Sequence, residues 1–151
     1  MLPFVIEHRS EMVRGVVTME RVETFSAAHR LHSSQLSAEE NAATYGKCNN
    51  PNGHGHNYVW KVKLRGIPDP VTGMLYDLAQ LKKDMKVVLD TVDHKNLDKD
   101  VEWFQHNVST SENVAIYLWE KLRVQMKTPK MLYKVTVEET PKNIFTYKGE
   151  I

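Results

Sequence analysis

The strongest constraint on the fold is an unbroken alternation over residues 54–65. His54, His56, Tyr58, Trp60, Val62 and Leu64 share one parity, while Asn57, Val59, Lys61, Lys63 and Arg65 share the other. A strand sends successive side chains to opposite faces, so this pattern predicts one covered face and one wet face. That is the signature of an antiparallel sheet covered on one side. The apolar face needs a second layer packed against it.

The rest of the chain supplies that layer. A first strand is predicted from Val16 to His29, where Val17, Met19, Phe25, Ala27 and His29 share one parity, although Arg21 and Glu23 sit on it too. Ser37 with Glu40 reads as a capping box opening a short helix that stops at Gly46. Ile67 to Pro70 and Thr72-Gly73 form a connecting loop. Asp77 with Gln80 opens a long helix whose Leu78, Leu81, Met85, Val88, Leu89 and Val92 follow at helical spacing. Ser109 with Glu112 opens another, carrying Val114, Tyr117, Leu118 and Leu122. Strands follow from Met131 to Thr140 and from Ile144 to Tyr147, joined by a turn at Pro141 to Asn143. Strands and helices do not alternate one for one, which points to an α+β fold: an antiparallel sheet with helices on one face. Residues 1–14 read as an N-terminal tail and 15–151 as a single domain. A chain of 151 residues buries enough surface to fold without disulfides or a structural metal.

Charge and cysteine usage narrow the class. Twenty Lys and Arg against nineteen Asp and Glu argue against a nucleic-acid binder that relies on bulk positive charge. No apolar run approaches the roughly 18–20 residues of a membrane span, and Glu7 closes the N-terminal apolar run too early for a signal peptide. The single cysteine, Cys48, has no internal partner. The expectation is a cytoplasmic protein with no membrane partner.

Chemistry concentrates around the histidines. His54 and His56 are two apart on a strand, so both imidazoles leave the same face and converge. His29, closing the first strand, is one candidate third nitrogen; His32 competes with it. Three neutral histidines bind zinc and leave a fourth position open, the arrangement of catalytic zinc. Cys48 stands in a polar Asn-, Gly- and Pro-rich loop before His54, where a cation lowers a thiol's pKa and suits it to act as a base or nucleophile. Asp93-His94 follows the first long helix as a candidate carboxylate–imidazole pair for proton transfer, though neighbours on a strand point apart and a direct pair needs a turn. Glu139 ends the covered face of its strand as a candidate ligand anchor, while Glu138 takes the wet face.

The segments FSAAHRL (25–31), GKCNNPNGHGHNY (46–58), DHKNLD (93–98), STSENVAIYLW (109–119), LYKVTVEET (132–140) and YKGE (147–150) together resemble the 6-pyruvoyltetrahydropterin synthase family of the animal type. The resemblance runs from about residue 16 to residue 150. It implies a tunnelling fold in which three subunits close a twelve-stranded barrel and two trimers stack into a homo-hexamer. It implies one zinc ion per subunit on His29, His54 and His56, which leaves His32 out. Cys48 is implied as the proton-abstracting group, with Asp93 and His94 as relay partners from another subunit. Glu139 is implied as the pterin anchor and Thr110 as a substrate-binding helper. The implied reaction is a carbon–oxygen lyase step in tetrahydrobiopterin biosynthesis, from 7,8-dihydroneopterin triphosphate to 6-pyruvoyltetrahydropterin, with Mg2+ as a companion of the triphosphate. A 6-carboxytetrahydropterin synthase activity and a non-catalytic pterin- or metal-binding role are the alternatives. Glu138 departs from the aromatic residue expected there, at a wet-face position. Residues 1–14 match nothing in the family pattern.

Overall fold

In the computed structural model, which describes residues 14–151, the two predicted strands pair along their full length. β1 (Val17–His29) runs antiparallel to β2 (His54–Gly66), from Val17 opposite Gly66 to His29 opposite His54. Phe25, Ala27, Tyr58, Trp60, Val62 and Leu64 are buried on one face, as the alternation predicts. The two charges on the inward parity of β1 neutralise each other: the Arg21 guanidinium lies 2.6 Å from Glu23 Oε1. The tail expected over residues 1–14 falls outside the described residues except for Arg14.

α1 (Ala38–Tyr45) follows β1, with Ser37 and Glu40 forming the expected capping box, and a 3-10 turn over Gly46–Asn49 leads into β2. α2 (Leu78–Val92) starts at the Asp77 cap, whose carboxylate accepts from the Ala79 and Gln80 amides. β3 (Lys95–Asn96), α3 (Leu97–Asp100) and α4 (Trp103–His106) are short elements that the sequence pattern does not mark. α5 (Ser111–Gln125), β4 (Leu132–Thr140) and β5 (Asn143–Tyr147) complete the chain. The sheet order is β3-β1-β2-β4-β5, antiparallel except that β3 runs parallel to β1. Two buried rows cover the inward face: Leu81, Met85, Val88, Leu89 and Val92 from α2, and Val114, Leu118 and Leu122 from α5. This is the expected α+β arrangement. No helix among the described residues is long and apolar enough to cross a membrane.

Two local expectations are corrected. A bulge between Lys63 and Leu64 sets Lys63 opposite Lys134 but Leu64 opposite Leu132. Leu132 is therefore buried and Tyr133 exposed beneath the Arg65 guanidinium, the reverse of simple alternation. Beyond the bulge, Val135 and Val137 point inward as expected. The second correction concerns the start of α5. Its cap is Thr110, whose hydroxyl accepts from the Asn113 amide at 3.3 Å, so Ser109 is freed for other contacts.

The layered core sets the first expected outcome. Leu118 is fully buried between α5 and the sheet, whereas Val124 on the same helix is 78% exposed. In urea unfolding, Leu118→Ala should cost about 2–5 kcal/mol, and Val124→Ala should stay within about 0.5 kcal/mol.

Candidate metal centre

The register of β1 and β2 assembles the site. His29 is the last residue of β1 and faces His54, the first of β2, while His56 sits opposite Ala27. One nitrogen from each of the three rings lies within 4.8 Å of the other two. His29 Nε2 and His54 Nε2 are 3.0 Å apart, and the buried His56 Nε2 has no hydrogen-bond partner. An unpartnered buried nitrogen beside two others is a donor set that suits a cation such as Zn2+, Cu2+ or Fe2+. His32 is not part of the cluster; its Nδ1 lies 3.0 Å from Asn49 Nδ2.

The surroundings prepare the imidazoles for that use. His29 Nδ1 is 2.6 Å from the Ser109 carbonyl, so its N–H donates there and the Nε2 lone pair turns to the cluster. Burial pushes the pKa of His29 and of His56 below the ordinary imidazole value, which keeps both neutral near pH 7. Asp98 clamps this arrangement from both sides. Its Oδ1 accepts from the Ser109 hydroxyl at 2.5 Å and its Oδ2 from the Arg30 amide at 2.6 Å. Gly53 supplies the close approach behind the site: with φ 69°, a Cβ there would fall 2.8 Å from the His29 carbonyl oxygen. Sequence reading missed Asp98 and Ser109. Both lie in the family-like segments, but their contacts span 11 and 80 residues, beyond any local pattern.

Glu139, at the end of β4, reaches the same place. Its Oε2 accepts a hydrogen bond from the Ser111 hydroxyl, and its Oε1 lies 3.8 Å from His56 Nε2. Glu138 points to the other face and pairs with Lys61 at 2.9 Å. The Tyr58 hydroxyl is buried without a partner; burial and then the Glu139 charge push its pKa up, so it stays protonated. Thr110 is half-buried beside the site and caps α5.

Asp93 and His94 make the turn that their pairing requires. Asp93 ends α2, His94 adopts φ 59°, and the Asp93 carboxylate sits 3.0 Å from His94 Nδ1. A hydrogen bond from the Ser26 amide is the main reason the Asp93 carboxyl titrates below its usual value. Cys48 lies half-buried in the 3-10 turn, and its carbonyl accepts from the Leu31 amide at 2.9 Å. Among the described residues, no hydrogen bond or ion pair joins Cys48 to Asp93 or His94 within the chain.

The family model for 6-pyruvoyl tetrahydropterin synthase matches residues 18–150. A solved structure of Caenorhabditis elegans 6-pyruvoyl tetrahydropterin synthase is 72% identical, with a TM-score of 0.89, covering 92% of this chain and all of that one. The human 6-pyruvoyl tetrahydrobiopterin synthase is 55% identical over 128 residues, 84% of this chain and 88% of its own length. The Drosophila melanogaster protein of that name is 52% identical over 135 residues, 89% of this chain and 80% of its own.

The clamp on His29 is testable through metal affinity. Asp98→Ala releases Ser109 and the Arg30 amide together, and zinc affinity should fall about 10–100-fold in a chelator competition titration. His32→Ala, outside the cluster, should leave zinc affinity unchanged.

Proposed function

This chain belongs to the 6-pyruvoyl tetrahydropterin synthase family, and from that premise we propose that it converts 7,8-dihydroneopterin triphosphate to 6-pyruvoyltetrahydropterin with elimination of triphosphate, a step towards tetrahydrobiopterin. The observation that carries the reading is the meeting of three imidazoles, one with an unpartnered buried nitrogen, beside the carboxylate of Glu139. In this reading His29, His54 and His56 hold one zinc ion per subunit. Bound there, zinc supplies Lewis-acid polarisation of the substrate's side-chain oxygens and makes the adjacent C–H bonds more acidic. The reading gives Mg2+ the role of charge partner to the triphosphate.

The chain's own residues supply the rest. The Glu139 carboxylate accepts a planar pair of N–H groups from the pterin, a charge-assisted match of two acceptors to two donors. Cys48 Sγ, as thiolate, takes protons from the side-chain carbons and returns them elsewhere on the substrate, so the internal redox exchange needs no outside oxidant. Triphosphate departs with the electron pair of its C–O bond. Asp93 orients His94 and stabilises its imidazolium, and His94 exchanges the proton carried by the thiol. Support for an intersubunit arrangement is twofold: Cys48 has no bond to the pair within one chain, and the His94 side chain is 85% exposed. The reading therefore brings Asp93 and His94 to the thiol from a neighbouring subunit, in trimers that close twelve-stranded barrels and stack as hexamers. Thr110 lies beside the pterin as a helper. The work belongs to the cytoplasm, where a lone thiol stays reduced.

Two variants separate the metal from the base. His54→Ala should lose zinc and turnover together. Cys48→Ala should keep about one zinc per subunit while turnover falls about 10²–10⁴-fold. With purified protein and 7,8-dihydroneopterin triphosphate, chromatography should reveal 6-pyruvoyltetrahydropterin and free triphosphate. Accumulation of 6-carboxytetrahydropterin, or no multiple-turnover release of triphosphate, would overturn the proposal.

A further inference from the structure

We propose that Ser111 is a positioning residue for pterin recognition: its hydroxyl sets the plane of the Glu139 carboxylate and thereby the orientation in which the ring is received. The inference rests on the reading of Glu139 as the pterin anchor. Ser111 opens α5 and is 2% exposed, so its hydroxyl must find a partner inside the protein. It finds Glu139 Oε2, and because an ionised carboxylate only accepts, the hydroxyl donates.

The neighbouring hydroxyl is otherwise engaged: Thr110 accepts from the Asn113 amide as the helix cap. The Tyr58 hydroxyl lies beside Ser111 but donates no hydrogen bond to Glu139. Ser111 is therefore the side chain that fixes the carboxylate. Its backbone is rigid, being held by a helix whose Val114 and Leu118 are fully buried. The bond engages one lone pair of Oε2 and leaves another, together with Oε1, for a planar pair of donors. Without it, Oε1 at 3.8 Å from His56 Nε2 leaves the carboxylate free to turn towards the histidines, away from the orientation a flat ring requires.

The test is a double-mutant cycle on the zinc-loaded protein, read by fluorescence titration with neopterin and by steady-state kinetics. Ser111→Ala should raise the neopterin Kd and the KM about tenfold, while zinc per subunit holds and kcat changes less than about twofold. Ser111→Thr, which keeps the hydroxyl, should restore the neopterin Kd. In a Glu139→Gln background, Ser111→Ala should cost no further affinity, because the group it positions has lost its second acceptor. Additive losses, or an unchanged Kd in Ser111→Ala, would overturn the proposal. An unchanged Kd in Glu139→Gln alone would instead remove the anchor, and with it both readings.

Discussion

The full-length antiparallel pairing of β1 with β2 is the constraint on which everything else depends. A slip of one residue would turn Tyr58, Trp60, Val62 and Leu64 to the wet face, and His54 and His56 with them. The same register therefore fixes the core and the histidine cluster. Deep in the sheet, large apolar residues under α2 and α5 set it; at one end it delivers His29 opposite His54. The imidazoles of the cluster are the last rungs of a ladder that hydrophobic burial holds in register.

The burial that stabilises the ladder also prepares its chemistry. Desolvation keeps His29 and His56 neutral, and a neutral imidazole is what a metal requires. Polar groups follow the same economy of position. Asp98 ties the segment after β1 to the residue before the Thr110 cap, and Ser111 ties the start of α5 to the end of β4. Both bonds hold backbone elements together while orienting the group that faces the site. A site between a sheet end and a helix start gains rigidity from both.

What was legible in the sequence followed period and local chemistry. The strand through Tyr58 to Leu64, the caps at Ser37 and Asp77 and the inward Glu139 are visible because their signals lie within a few residues. The histidine cluster was half legible: His54 and His56 share a strand, but the choice of His29 over His32 depends on pairing between strands. Three features stayed hidden for physical reasons. A β-bulge at Tyr133 leaves no mark in alternation, the α5 cap shifts by one residue among three adjacent hydroxyls, and the turn joining Asp93 to His94 requires a left-handed non-glycine residue. Long-range polar contacts such as Asp98 with Ser109 have no local signature at all.

In the proposed function three imidazoles, and no sulfur, surround the metal and leave one position open. X-ray absorption at the zinc edge of the zinc-loaded protein tests it most directly. The expected result is three imidazole nitrogens and one further light atom around the metal, at about 2.0–2.1 Å. A scatterer at about 2.3 Å, the distance of a zinc–sulfur bond, would make Cys48 a ligand and contradict the separation of metal from base.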